Sequence, residues 1–213
     1  MARKRKKLQS KKNSYAIVVE GETEVWYFNM LKRNERNLIV KIEPEIPQSQ
    51  ELNEQFNRVK ELVEYYDMVF WIIDLDKIIK ETRETAKNKQ PKIRELQDYF
   101  VKLKNYNNVV KIINNPCLEF WFLLHFKETS RYFENCSKVI NMLKEKLPYY
   151  KKSKKYFTKE NNDIYKSLKP YLENAIKNAK KLGEIDFENF DNSLSMMYLF
   201  FEIDKIKSSL NTD

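Results

Sequence analysis

Two short apolar segments constrain the fold of this chain more than any other feature. Residues 15–19 read YAIVV and residues 68–73 read MVFWII. Short runs rich in β-branched and aromatic residues are typical of strands buried inside a parallel sheet. Two further strand-like runs, residues 38–46 and 109–113, alternate with segments of helical periodicity. This alternation predicts an α/β sandwich with a mostly parallel central sheet flanked by helices.

The apolar pattern changes beyond about Glu128, where helical periodicity continues but strand-like runs disappear. We therefore predict an α/β core over residues 14–128 and a helical extension over residues 129–213 that packs on the core. Residues 1–13 are rich in Lys and Arg and are expected to form a flexible basic arm.

The helical extension is expected to contain three helices. The first carries apolar residues between 139 and 147, and the second carries them between 165 and 179. Pro170 should kink the second helix or mark its true start, and Gly183 should end it. The third helix is expected over residues 194–206.

Acidic residues follow both apolar runs where the strands are expected to end. Glu20 and Glu24 follow the first run, and Asp74 and Asp76 follow the second. Functional crevices of open parallel sheets lie at the carboxyl ends of the strands, so adjacent strands would bring these four carboxylates together. Such a cluster is costly unless a cation lies among them, and Mg²⁺ (or Mn²⁺) is the usual one. A lysine or arginine side chain filling that gap would contradict the metal site.

The four acids are expected to differ in role. Asp74 and Asp76 should share one face of an extended strand and bind metal, although an isolated pair of this kind is more often a solvated turn. Glu20 could be a general base, a general acid or a metal ligand, and Glu24 is better suited to be a ligand. The alternative for Glu24 is a weak favourable interaction with a helix N-terminus.

A third segment, residues 114–126, reads NNPCLEFWFLLHF and predicts a strand end, a turn and an apolar helix. Glu119 and His125 are its polar exceptions. A polar side chain in so apolar a helix must face solvent, a cleft or a partner. Glu119, in the first helical turn, is a candidate for a further metal ligand. His125 is more often a buried structural histidine than a catalytic one.

The charge balance favours a polyanionic partner. The chain has 40 Lys and Arg against 31 Asp and Glu, a net charge of +9. A lysine-rich solvated surface would give the same balance, but neutralising phosphates is the main source of nucleic-acid affinity. The densest basic stretch, residues 146–159, also carries four aromatic residues, a combination that suits phosphate contacts and base stacking. Its candidate nucleic-acid-binding residues are Lys151, Lys152, Lys154, Lys155 and Lys159.

Scarce residue types exclude several classes of site. Only two glycines, Gly21 and Gly183, are present, so glycine-rich phosphate loops are absent. Gly21 is expected where the backbone requires glycine. Cys117 and Cys136 form no CxxC pair and His125 is the one histidine, which argues against zinc fingers and Ser-His-Asp or Cys-His sites. Two isolated cysteines and no long apolar stretch favour a soluble cytoplasmic protein without a membrane partner.

The motifs resemble those of a known family. A glutamate after one strand and an Asp-x-Asp after a later one resemble the signature of Toprim domains, which occur in topoisomerases, primases and several nucleases. VEGETE at residues 19–24, NPCLEFWFLLHF at residues 115–126 and YFTKE at residues 156–160 more specifically resemble the RloB-like family of bacterial phage-defence loci. Residues 189–195 depart from the Asn-Pro and histidine motif with which that family often ends.

The resemblance implies a Toprim-like core, a divalent-metal site and a role in abortive-infection or restriction-linked defence. By position, Glu20 resembles the catalytic Toprim glutamate, and Asp74 and Asp76 the metal-binding pair. Glu24 resembles an additional ligand of related nucleases. An ATPase of the RloA type is the partner that such loci imply.

Together, these features predict a Mg²⁺-dependent nuclease acting on DNA or RNA. A catalytically silent nucleic-acid-binding module, or one gated by a partner ATPase, is the alternative. Nucleotidyl or primase-like transfer is a third hypothesis. The residues leave the oligomeric state and the number of metal ions open.

Overall fold

The fold of this chain is a central β-sheet with helices on both faces. A computed structural model describes the backbone of residues 11–210 and the side chains of residues 13–210. Its strands are β1 (Lys11–Val18), β2 (Lys41–Glu45), β3 (Tyr66–Asp74), β4 (Val109–Asn115) and β5 (Leu194–Ser195). Its α-helices are α1 (Glu22–Asn34), α2 (Leu52–Leu62), α3 (Leu75–Glu84), α4 (Lys92–Lys102), α5 (Leu118–Leu124), α6 (Cys136–Leu143), α7 (Lys154–Phe157), α8 (Ile164–Leu168), α9 (Leu172–Leu182), α10 (Tyr198–Phe201) and α11 (Asp204–Leu210).

The sheet has the strand order β2-β1-β3-β4-β5. The first four strands are parallel, and β5 pairs antiparallel with the end of β4. The expectation of an α/β fold with a mostly parallel sheet is therefore confirmed, and β2 lies at one edge of the sheet. The carboxyl ends of β1, β3 and β4 lie side by side, which places the acidic residues that follow them at one edge of the sheet.

Adjacent residues of β3 show how the two faces of the sheet are covered. Side chains alternate along a strand, so Phe70 and Trp71 point to opposite faces. Trp71 contacts Tyr99 and Phe100 of α4. Phe70 contacts Phe200 of α10, which lies beyond residue 128. Residues of the C-terminal part therefore complete the core on one face of the sheet.

Three sequence predictions about secondary structure are corrected here. Residues 75–84, where the sequence analysis predicts no helix, form α3, with Leu75, Ile78 and Ile79 buried at helical spacing. Residues 194–206 are not one helix, because Leu194 and Ser195 form β5 and two short helices follow. Strands therefore do occur after residue 128.

Other expectations agree with the structure. The helical segment around Pro170 is divided into α8 and α9 by a 3-10 turn at Lys169–Tyr171. Gly183 ends α9 with φ of 75°, a left-handed conformation that favours glycine. The expectation for Gly21 is wrong, because its φ of −152° is an extended conformation open to any residue, so the backbone does not require glycine there.

The predicted division into an arm, a core and an extension stays a prediction. Most of the basic arm over residues 1–13 lies outside the described residues, and its last three residues begin β1. Among the described residues, none of the helices has both the length and the apolar character that a membrane crossing requires.

Candidate metal centre

Four carboxylates surround the meeting point of the strand ends. Glu20, Glu24, Asp74 and Glu119 form what we call the carboxylate centre, each interacting electrostatically with at least one of the others. They follow β1, β3 and β4 or begin the helices after them. The expected adjacency of the two acidic strand ends is confirmed, because β1 pairs directly with β3.

Glu20 links the ends of β1 and β3. Its Oε1 lies 3.3 Å from the backbone nitrogen of Asp74, which donates to it. The amide of Gln50 donates to the backbone oxygen of Glu20 over 3.0 Å. Glu20 as a whole residue is half-buried.

Asp74 is the best-anchored member of the carboxylate centre. Asn114 on the neighbouring strand donates from Nδ2 to Asp74 Oδ1 over 3.2 Å, and the backbone nitrogen of Leu118 lies 3.2 Å from Asp74 Oδ2. Asn114 is itself fixed by Ser195, whose Oγ donates to Asn114 Oδ1 over 2.7 Å. The two-residue strand β5 thus helps to orient the acid at the end of β3.

Glu24 lies in the first turn of α1 and is 6 % exposed. A Cβ atom on Gly21 would lie 3.5 Å from Glu24 Oε2, an ordinary van der Waals contact. Within the described part of the chain the Glu24 carboxylate forms no ion pair, although Lys152 interacts with it electrostatically. A buried carboxylate of this kind is expensive without a cation.

Glu119 is fully buried at the start of α5 and is neutralised by protein groups. The hydroxyl of Tyr150 donates to Glu119 Oε1 over 2.7 Å, and Lys152 Nζ lies 2.9 Å from the same oxygen. Both partners come from the basic stretch after residue 146. That segment therefore folds over the carboxylate centre.

The two cysteines are not isolated. Cys117 and Cys136 form a disulfide that joins the start of α5 to the start of α6. The sequence expectation of two unpaired cysteines is therefore wrong, because residues 19 positions apart meet when the chain turns between those helices. The sulfur of Cys136 lies 2.9 Å from Glu119 Oε2, but a disulfide sulfur carries no hydrogen to donate.

Asp76 does not share a strand with Asp74. It belongs to α3 rather than to β3, so the expectation that Asp74 and Asp76 share one strand face is wrong. Its Oδ1 accepts from the backbone nitrogen of Lys77 over 2.7 Å. Asp76 lines a surface groove with Lys80 and Arg83, and it interacts with Glu20 electrostatically.

A lysine reaches the carboxylate centre. The sequence analysis states that a lysine filling the gap between the acids would contradict a metal site, so the position of this lysine matters. Lys152 is bound to Glu119 and interacts with Glu24 and Asp74 only over longer distances. It therefore occupies Oε1 of Glu119 and leaves Oε2 without a donor. Among the described residues, Glu20, Glu24 and Asp74 form no ion pair.

The ionisation of these acids reflects the excess of negative charge. Burial raises the pKa of Glu20 to about 8, and Glu24 adds to the rise. Burial raises the pKa of Glu24 to about 7, with Glu119 acting in the same direction and Lys152 opposing it. Burial, followed by repulsion from Glu24 and Glu20, raises the pKa of Asp74 well above its usual value.

The donor set fits a hard divalent cation. Carboxylate oxygens are the ligands that Mg²⁺ and Mn²⁺ prefer, and a cation would reverse the effects that raise these pKa values. Cys117, Glu119 and Cys136 also have donor atoms within 4.8 Å of one another. Because the two sulfurs are bonded to each other, they are not available as thiolate ligands.

The remaining histidine takes no part in the carboxylate centre. His125 is buried at the end of α5, and its Nδ1 donates to the carbonyl oxygen of Trp121 over 2.9 Å. Burial lowers the pKa of His125 to about 4, so the ring is neutral. It is a structural histidine, as the sequence favoured.

Sequence reasoning missed three residues of the site. Asn114 was read as part of a turn, Tyr150 as one aromatic among several, and Ser195 as a helical residue. Asn114 carried a usable signal, because an amide at the end of a buried strand next to an acidic strand end can reach it. Tyr150 and Ser195 reach the site through contacts distant in sequence, and no local pattern marks them.

A comparison with protein families found one match. A family model described as RloB-like protein matches residues 15–203. Searches of the curated proteins and of the solved structures found no match.

Proposed function

The chain belongs to the RloB-like protein family, and from that premise we propose that its carboxylate centre is the active site of a Mg²⁺- or Mn²⁺-dependent nuclease. The observation that supports this most strongly is the charge imbalance at the strand ends. Three acids, Glu20, Glu24 and Asp74, have raised pKa values and no ion-pair partner among the described residues. A divalent cation is the simplest compensation.

In this proposal Glu20, Glu24 and Asp74 hold the metal, and Asp76 contributes from the edge of the site through water. A bound divalent ion supplies an acidified water and stabilises the oxygen that leaves the phosphate. Asn114 and the backbone of Leu118 keep the Asp74 carboxylate in one orientation. Glu119 is proposed to act through Lys152 rather than as a ligand, because its Oε1 already contacts both Lys152 and Tyr150.

Glu20 is the proposed proton carrier. A general base must lie within hydrogen-bond reach of the proton that it takes. Glu20 meets the end of β3 directly, because its Oε1 accepts from the backbone nitrogen of the proposed ligand Asp74. Lys152 is proposed to offset negative charge that develops on the phosphate, because its ammonium lies 2.9 Å from Glu119 at the edge of the centre.

The substrate is proposed to be DNA or RNA, held by exposed lysines of the basic stretch. Within the described part of the chain, no carboxylate forms an ion pair with Lys151, Lys154, Lys155 or Lys159. These exposed lysines are therefore available to phosphates. The family resemblance supports a role in anti-phage defence in the cytoplasm, together with an ATPase of the RloA type.

One observation favours the alternative of a partner-gated module. Lys152 and Tyr150 already occupy Glu119, so a rearrangement of the basic stretch would free a further ligand. In that case the isolated protein would bind nucleic acid without cleaving it, and a partner ATPase would trigger the movement.

The test is cleavage of end-labelled DNA and RNA by the purified protein with Mg²⁺, Mn²⁺ or EDTA. The proposal predicts cleavage that EDTA abolishes and that Asp74→Asn or Glu24→Gln reduces at least about 100-fold, since losing even an outer partner of a metal site costs 10–100-fold. Lys104→Gln, a change at the opposite edge of the sheet, is the matched control and should retain activity. Cleavage that persists in EDTA, or in both acid variants, would overturn it.

A further inference from the structure

Tyr149 presents the most exposed large hydrophobic side chain among the described residues. It is 84 % exposed, against 43 % for Tyr171, the other exposed tyrosine of that group. Tyr171 packs on Phe126 with ring centroids 5.0 Å apart. Tyr149, by contrast, contacts no other aromatic ring in the described part of the chain. An exposed aromatic ring without a protein partner is a ready surface for a planar ligand.

The segment that carries Tyr149 is anchored on both sides. Its neighbour Tyr150 is 1 % exposed and donates to Glu119 over 2.7 Å. The backbone nitrogen of Tyr150 donates to the oxygen of Leu147 over 2.9 Å, and that of Ser153 to the oxygen of Lys151 over 2.8 Å. The ring of Tyr149 is therefore held out from a fixed turn rather than from a loose loop.

This turn lies next to the carboxylate centre. Lys152 lies three positions after Tyr149, a span of at most about 11 Å along the chain. Lys152 in turn lies 2.9 Å from Glu119. A nucleotide stacked on Tyr149 therefore has its neighbours within reach of the proposed metal site.

The charge around Tyr149 indicates the chemistry of its partner. Lys151, Lys154 and Lys155 are exposed and form no ion pair within residues 13–210. Elsewhere on the surface, lysines such as Lys138 and Lys181 are neutralised by nearby glutamates. An exposed aromatic ring followed within six residues by unpaired cations matches a polyanion with accessible flat rings, which describes an unpaired nucleic-acid strand.

We propose that Tyr149 is a base-stacking platform, so that the carboxylate centre takes single-stranded rather than duplex nucleic acid. In a duplex both faces of each internal base are covered by neighbouring bases, and a protruding ring cannot stack on them. The lysines contact the backbone of the strand, and Tyr149 sets the position of a base relative to Lys152. The assignment of a cleaved substrate rests on the proposed nuclease function, but the binding surface does not.

The test is fluorescence anisotropy of the full chain in EDTA with labelled single-stranded DNA, single-stranded RNA and duplex DNA. Wild-type protein is expected to bind single strands more tightly than the duplex. Tyr149→Ala should weaken single-strand binding about 5- to 150-fold, the range for losing one base–aromatic stack. Tyr149→Phe should bind like the wild type, because the ring and not the hydroxyl is required.

Two controls keep the outcome specific. Tyr171→Ala removes the other exposed tyrosine and should leave binding unchanged. Lys151→Gln should weaken binding to every nucleic acid and lower the slope of log K against log salt by about 0.7 for single strands. Duplex binding as tight as single-strand binding, or single-strand binding unaffected by Tyr149→Ala, would overturn the proposal.

Cleavage assays separate this inference from the nuclease proposal. Single-strand binding that depends on Tyr149 without any cleavage would remove the nuclease and keep the platform. Metal-dependent cleavage of duplex DNA that is indifferent to Tyr149→Ala would remove the platform and keep the nuclease. The DNA and RNA arms identify which type of strand is preferred.

Discussion

Two groups of buried acids in this protein behave in opposite ways. Asp163, fully buried before α8, accepts from Arg33 Nη2 over 2.8 Å and from the backbone nitrogen of Lys166 over 3.0 Å. Burial alone would raise its pKa, but these donors, with Asn34, hold the pKa of Asp163 below its usual value. Asp74 is surrounded mainly by other acids, and its pKa is raised well above the usual value.

The difference teaches that burial of an acid does not by itself indicate function. Asp163 caps a helix and ties α1 to α8, so its charge is used within the fold. Asp74 and Glu24 carry charge that the fold leaves uncompensated. Acids of the second kind are candidates for binding a ligand that the chain does not contain.

The largest effect on stability is expected at Asp163, the buried acid whose charge protein groups compensate. Asp163→Ala removes a helix cap and charged hydrogen bonds, and should lower the free energy of unfolding by about 2–4 kcal/mol. Urea denaturation measures the change. Glu160→Ala, an exposed acid three residues earlier, is the matched control and should change little. A destabilisation equal in both variants would mean that Asp163 is not compensated as described.

The second effect concerns pH. Between the unfolded pKa of a glutamate and the raised folded values of about 7 for Glu24 and about 8 for Glu20, the folded state binds more protons. Stability of the metal-free protein should therefore be highest near pH 5 and should fall as pH rises to about 8. Thermal unfolding in EDTA across this range measures it. Stability that rises steadily over the same window would contradict the raised pKa values.

Neutralising one acid of the centre should have the opposite sign to the change at Asp163. In EDTA at pH 8, Glu24→Gln should raise the free energy of unfolding by roughly 1–2 kcal/mol, since a pKa unit corresponds to about 1.4 kcal/mol. The same variant should lose stabilisation by Mn²⁺, because it lacks a ligand. Differential scanning calorimetry with and without Mn²⁺ gives both values. If Glu24→Gln lowers the free energy of unfolding in EDTA, protein groups compensate the charge of Glu24 as they do that of Asp163.

The smallest effect is expected at the edge of the centre. Ser195→Ala removes the hydroxyl that orients Asn114, which in turn orients Asp74. Mn²⁺ affinity should fall by up to about tenfold, the lower range for an outer partner of a metal site. Isothermal titration calorimetry measures it, and Ser195→Thr should restore the affinity. An unchanged affinity would show that Asp74 does not depend on this contact.

Local sequence patterns predicted the strands that depend on residues close together in the chain. The strands β1 and β3 are continuous apolar runs, and their neighbourhood follows from the parallel sheet, so Glu20 and Asp74 could be placed together from sequence. Leu75, Ile78 and Ile79 of α3 also have helical spacing, but the sequence analysis predicted no helix there. Asp76 was therefore placed on a strand with Asp74.

Other features depend on contacts between distant residues. The strand β5 is two residues long and exists because Leu194 and Ser195 pair with the end of β4. The ion pair of Lys152 with Glu119 and the disulfide of Cys117 with Cys136 depend on how the chain returns across the sheet edge. No local periodicity reports such encounters, so these parts of the site could not be predicted.

The central claim is that Glu20, Glu24 and Asp74 hold a divalent cation. Anomalous diffraction from crystals soaked in Mn²⁺ tests it most directly. The account predicts a peak in contact with carboxylate oxygens of all three residues, absent in Glu24→Gln crystals treated in the same way. A peak bound only by Asp76, or no peak at the strand ends at all, would contradict it.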